Sequence, residues 1–138
     1  DLATIAEFEV PIVITSLGAR TDINDAVHAY GGIVLHDVID NRFARKAIEK
    51  GADGLIAVAA GAGGHAGRQS PFALIREIRE WFAGPLLLSG AIAHGDSILA
   101  ALAAGALPPP PLGAACSKGV APLSRQNGSE QPMQPGEY

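Results

Sequence analysis

One histidine in the sequence stands inside a loop of small residues, in the stretch GAGGHAGRQSP at 61–71. Glycine removes side chains and permits positive φ, so the backbone of such a loop can approach a bound molecule closely. His65 would project from this loop, and a neutral imidazole is a suitable general base near pH 7. Because glycine-rich loops are common, the same pattern also fits a flexible loop with an incidental exposed histidine.

A second candidate segment is SGAIAHGD at 89–96, where an apolar run ends and a helix is expected to begin near Asp96. Backbone N–H groups at such a turn can hold a phosphate group. The segment carries neither a GKS or GKT sequence nor a GxGxxG pattern, so neither common nucleotide-binding loop is indicated. A plain connection between a strand and a helix remains the alternative.

Three histidines lie close to the ends of successive apolar runs, namely His36, His65 and His94. In a barrel they could converge on a metal such as zinc, which makes a metal-dependent hydrolase one alternative. No His-x-His pair supports it. Cys116 is the single cysteine, so the sequence excludes an intrachain disulfide and a cysteine-based zinc site.

The candidate residues are positioned by a regular alternation of elements. Four nearly continuous apolar runs are typical of parallel strands buried on both faces, and they span 11–18, 32–39, 54–61 and 85–92. Four helices are predicted after them, at 21–31, 41–51, 70–82 and 95–105, with Ser70 as N-cap and Pro71 at the first helical position. The charged residues of 41–51, including Lys46 and Lys50, are expected to form a solvated helix face.

Four βα units predict an α/β fold that is either an open doubly wound sheet or part of a (β/α)8 TIM barrel. Ligands bind at the carboxyl ends of the strands in both architectures. The loop around His65 and the turn at 89–91 fall at that edge.

Charge and hydropathy exclude several classes of partner. The formal net charge of −4 argues against binding to a nucleic-acid backbone, which needs a basic patch. No apolar run reaches the ~18 residues that a membrane-spanning helix needs. We expect no signal peptide, because the sequence shows no basic segment followed by an apolar one at its start. We therefore expect a soluble cytoplasmic protein without a nucleic-acid or membrane partner.

The composition changes abruptly after Ala106. Residues 107–138 hold seven of the ten prolines and show no helical or strand periodicity. We expect a domain at 1–106 followed by a Pro-rich tail at 107–138 that is disordered or not native to the fold. Because the chain also begins at Asp1 without a methionine, we expect it to be a fragment of a longer protein.

Several segments together resemble the nitronate monooxygenase family, also called 2-nitropropane dioxygenases. The combination of KGADGLIAV (50–58), AGGHAG (62–67) and SGAIA (89–93) at these intervals carries the resemblance, which extends over most of 11–106. It implies a (β/α)8 barrel that binds FMN without a covalent bond and oxidises nitronates or nitroalkanes with molecular oxygen.

The resemblance also implies roles for individual residues. His65 takes the position of the family's catalytic base. The expected FMN contacts are the flavin side of the loop, the phosphate-binding turn and the histidine of the second apolar run. They correspond to Gly63, Gly64, Ser89, Gly90, Ala91 and His36.

Two departures from the family pattern leave alternatives open. Asp37 stands where many relatives have a lysine, which changes the charge near the flavin. The N-terminal strands and the strand after 86–106 have no counterpart, so the chain corresponds to about half an enzyme. A same-fold flavin-dependent enoyl reductase and a non-catalytic truncated product are therefore the alternatives.

Overall fold

The structure, a computed structural model, describes residues 1–106 and contains five helices and four strands in that range. Their order along the chain is α1 (Leu2–Glu7), β1 (Ile12–Thr15), α2 (Thr21–His28), β2 (Ile33–Val38), α3 (Asn41–Glu49), β3 (Gly54–Val58), α4 (Pro71–Arg79), β4 (Leu86–Ser89) and α5 (Gly95–Ala104). The four βα units expected from the sequence are confirmed, and α1 precedes them. The predicted tail at 107–138 lies outside the described residues.

The four strands form one parallel sheet in the order β1-β2-β3-β4. Each strand pairs with the next along the chain, whereas a doubly wound sheet reverses its strand order at a switch point. Connections between parallel strands of one sheet are right-handed. Because each strand here is followed by its neighbour in the same direction across the sheet, the connecting helices all lie on one face. The sheet is therefore a segment of a (β/α)8 barrel, as predicted, and not an open doubly wound sheet.

The two faces of the sheet differ in burial. One face packs under the helices, and its buried side chains include Val34, Leu55 and Leu86. Burying each such side chain contributes roughly 1.5–3 kcal/mol. The opposite face corresponds to a barrel interior and carries side chains that are well exposed here, such as Ile14 at 62% and Leu87 at 41%. The near-continuous apolar strands of the sequence thus supply two apolar faces, of which one is covered.

The helix boundaries follow local capping chemistry at three places. The side chain of Ser70 accepts a hydrogen bond from the Ala73 N–H, and Pro71 opens α4, as predicted. Asp40, which was not predicted as a cap, accepts a hydrogen bond from the Phe43 N–H at 2.8 Å and caps α3. Gly105 ends α5 in the left-handed conformation with φ +107°.

The N-cap of α5 is His94, without a side-chain hydrogen bond, and the helix begins at Gly95, close to the start expected near Asp96. Asn24 is buried within α2, and its Nδ2 donates to the Lys50 carbonyl oxygen at 2.8 Å. That carbonyl lies past the last helical residue of α3 and lacks a partner within its own helix, which explains why a buried amide is placed against it.

Within residues 1–106, no helix combines the length and apolar character needed to cross a membrane.

Candidate functional site

The loop that carries His65 is held at both of its ends by backbone hydrogen bonds. The Gly67 N–H donates to the Val58 carbonyl oxygen at 2.9 Å, and the Ala60 N–H donates to the Gln69 carbonyl oxygen at 2.8 Å. These bonds fold the loop back on the end of β3. The middle of the loop, residues 63–65, is exposed, so His65 projects into solvent at the carboxyl edge of the sheet.

The turn after β4 lies directly beside this loop. The Ala59 N–H donates to the Ser89 carbonyl oxygen at 2.9 Å, and the Ala91 N–H donates to the Gly61 carbonyl oxygen at 3.2 Å. Gly90 adopts φ +146°, and a Cβ placed there would lie 3.2 Å from the Ala60 carbonyl oxygen. The close approach of the two segments therefore depends on glycine at position 90.

In the described part of the chain, the loop of His65 and the turn after β4 both carry backbone N–H groups without a hydrogen-bond acceptor. Among residues 1–106, the N–H groups of 63–65, of Gly90 and of 92–96 donate no hydrogen bond to the protein. A Cβ built on Gly63 or Gly64 would meet no atom within 4 Å, so space lies open beside them. Free N–H groups ahead of a helix attract anionic groups such as phosphate. The structure thus brings together His65, the two loop glycines and the turn at 89–91.

His36 occupies a different position from the other predicted residues. It faces the helices, is 4% exposed, and its Nδ1 lies 2.6 Å from the Thr15 hydroxyl oxygen. Its neighbour Asp37 points to the opposite face of the sheet, because successive side chains of a strand alternate. Burial lowers the pKa of His36; nearby Asp37 raises it and nearby Lys50 lowers it further, both by smaller amounts.

A cavity of ≈490 Å³ connects this region with the loop of His65. It lies between residues 16–19, the end of β2 and one face of α3, and its lining includes His36, His65, Lys46 and Lys50. Lys46 and Lys50 are exposed, as expected for a solvated helix face, and they also border this cavity. Their i,i+4 spacing, with Phe43 and Ala47 on the same side, places the two lysines together at the cavity.

The metal alternative finds no support in the arrangement of side chains. No group of three or more His, Cys, Asp or Glu residues within 1–106 is placed to hold a metal ion. His94 is exposed at the start of α5, whereas His36 is buried below the sheet edge.

The arrangement at the sheet edge suits proton transfer next to a developing negative charge. The exposed imidazole of His65 can accept a proton, and the free N–H groups of its loop and of the neighbouring turn can stabilise an anion. An acidic carbon compound and an anionic cofactor group are the molecules that such a site would bind.

Comparison with known proteins identifies the family and the fold. The sequence profile of the nitronate monooxygenase family matches residues 1–108. The fold is similar to that of FabK from Thermotoga maritima, with 30% identity and a TM-score of 0.73 for its M276A mutant, over 78% of this chain and 36% of that one. It is also similar to nitroalkane oxidase from Streptomyces ansochromogenes, with 29% identity and a TM-score of 0.71, over 76% of this chain and 34% of that one.

A more distant likeness concerns the fold alone. The N-acetylmannosamine-6-phosphate 2-epimerase from Clostridium perfringens shares 20% identity with a TM-score of 0.65, over 79% of this chain and 52% of that one. No curated protein sequence matches the chain significantly. The chain spans about a third of the length of FabK and of the nitroalkane oxidase.

Proposed function

Because the chain belongs to the nitronate monooxygenase family, we propose that it forms part of an FMN-dependent oxidoreductase that oxidises nitronates or nitroalkanes with molecular oxygen. The observation that carries the proposal is that His65 lies in an exposed loop with unpaired backbone N–H groups, and that this loop is hydrogen-bonded to the turn after β4, which carries further unpaired N–H groups. The similarity to a nitroalkane oxidase supports the same class of substrate.

The residues at the sheet edge fit a flavin phosphate and a flat ring system. A side chain at Gly90 would lie in tight contact with the Ala60 carbonyl oxygen, while open space lies beside Gly63 and Gly64. In the proposal, the N–H groups after Ser89 hold the phosphate, and the two loop glycines leave space for the ring. When bound, FMN supplies the redox chemistry, and the protein supplies binding and orientation.

His65 acts as the base in this proposal. A neutral nitroalkane must lose the proton on the carbon next to the nitro group before it becomes an electron-rich nitronate. The imidazole of His65 takes that proton, and the N–H groups of the same loop stabilise the negative charge that develops. A substrate supplied as the nitronate has already lost this proton and needs no base.

The decisive test compares the two forms of one substrate in His65→Gln. We expect turnover of neutral nitroethane to fall by roughly 100-fold or more, which is the usual contribution of a general base, and turnover of ethyl nitronate to fall far less. His94→Gln is the matched control, because it removes an exposed histidine at the same sheet edge. Equal losses on both substrate forms would remove His65 from the role of base.

Flavin retention is measured first, from the visible absorbance of the chain after incubation with FMN and desalting. A colourless protein would contradict the proposal for this polypeptide and favour the truncated, non-catalytic product.

A flavin-dependent enoyl reductase is the second candidate, because the similarity to FabK is as high as that to the nitroalkane oxidase. Reduction of an enoyl thioester by NADH, with no turnover of nitronates, would favour this alternative.

A further inference from the structure

The cavity beside α3 has an apolar wall and a cationic end. Leu17, Ile39 and Phe43 contribute its large apolar side chains, and Lys46 and Lys50 contribute its positive charges. We propose that this cavity binds an aliphatic carboxylate, with the carboxylate group at the two lysines and the chain lying along α3 towards the loop of His65. The inference concerns binding alone and does not depend on the proposed redox activity.

The two lysines are not neutralised by the protein. Within residues 1–106, neither has a carboxylate oxygen within 4 Å, and the Lys50 ammonium group donates only to the Ala19 carbonyl oxygen, at 2.7 Å. Asp37 contributes to the lining, but its side chain points to the opposite face of the sheet. Two cationic side chains that have no carboxylate from the described residues beside them match an anionic group such as a carboxylate.

His36 supplies a further polar group to the cavity. Its Nδ1 pairs with the Thr15 hydroxyl, and its Nε2 has no hydrogen-bond partner among residues 1–106. No fully buried side-chain nitrogen or oxygen in that range lacks a partner, so Nε2 must open onto the cavity that His36 lines. With the Thr15 hydroxyl donating to Nδ1, the neutral ring keeps its proton on Nε2 and donates it to a ligand oxygen.

Leu17 marks the apolar rim of the cavity. It has φ +60°, a conformation that leucine rarely adopts, and its side chain is 90% exposed. The left-handed backbone of Leu17 is strained, and its apolar side chain is left in water. An aliphatic chain bound in the cavity would cover this side chain and remove it from water.

The length of the cavity wall sets the size of the probe. Phe43 and Lys50 lie seven residues apart along α3 and its last turn, which corresponds to about 10 Å of helix axis. A carboxylate of medium chain length, octanoate, is therefore chosen, and 1-octanol and octylammonium share its chain but not its charge.

The test is calorimetric titration of the full chain with each of the three probes. We expect octanoate to bind about tenfold more tightly than 1-octanol, as for a hydrogen bond to a charged group, and octylammonium to bind most weakly. Lys46→Gln should remove most of the preference for octanoate and leave 1-octanol unchanged. Arg76→Gln removes one positive charge from an exposed position on α4 outside the cavity and should change neither affinity.

A second variant tests the position of the chain. Leu17→Gly removes the apolar side chain that the ligand would contact, so octanoate and 1-octanol should both bind roughly threefold more weakly. Because glycine adopts positive φ without strain, the melting temperature should not fall. Equal affinities for octanoate and 1-octanol, equal effects of Lys46→Gln and Arg76→Gln, or no binding of octanoate would each overturn the proposal. An unchanged affinity in Leu17→Gly would also overturn it.

Discussion

Replacement of Gly67 by alanine should destabilise the loop that carries His65. A Cβ at this position would lie 2.6 Å from the Ile39 carbonyl oxygen and 2.7 Å from the Val58 carbonyl oxygen. Ordinary contacts of a Cβ begin near 3.4 Å, so the shorter distance falls 0.8 Å short (3.4 less 2.6). Both obstacles are main-chain atoms that no side-chain rotation can move, and the Val58 oxygen also accepts the Gly67 hydrogen bond.

The expected cost follows from this overlap. Overpacking of this kind typically costs about 2–3 kcal/mol, and for a folded unit of this size the melting temperature should fall by about 10–20 °C. Thermal unfolding followed by circular dichroism measures the shift. Below its melting temperature, Gly67→Ala should also retain less FMN, because the displaced loop moves the N–H groups next to His65.

Gly63→Ala is the matched control in the same loop. A Cβ there meets no atom within 4 Å, and Gly63 does not adopt a positive φ, so its stability should change by less than about 0.5 kcal/mol. If Gly67→Ala and Gly63→Ala melt at the same temperature, the argument that Gly67 anchors the loop between two carbonyl groups is refuted.

Two further predictions concern pH and helix capping. Burial lowers the pKa of His36 below its ordinary 6.5. At pH values between the lowered pKa and 6.5, the unfolded chain therefore binds more protons than the folded chain. The free energy of unfolding should therefore rise with pH through this window and level off above about pH 7, and urea titrations should show a flatter profile for His36→Gln. Asp40→Ala removes the side chain that accepts from the Phe43 N–H and should cost about 1 kcal/mol in the same titrations, while a change below about 0.3 kcal/mol would contradict the role of Asp40 as a cap.

Local chemistry in the sequence determined the order and type of the elements. Nearly continuous apolar runs predicted parallel strands, and Ser70 followed by Pro71 predicted where α4 begins, because these signals act within a few residues. The glycines around His65 predicted an open loop at a strand end. The grouping of that loop with the turn at 89–91 followed from the rule that parallel strands end at one edge of a sheet.

Tertiary structure decided what each side chain faces. Both faces of β2 are apolar enough that the sequence could not tell that His36 turns towards the helices and Asp37 towards the barrel interior. The sequence alone placed Lys46 and Lys50 on an exposed helix face, and the structure adds that residues 16–19 fold across from α3, so that both lysines also border a cavity. Such contacts join residues about 30 positions apart, so they depend on the packing of whole elements and leave no signal in any short stretch of sequence.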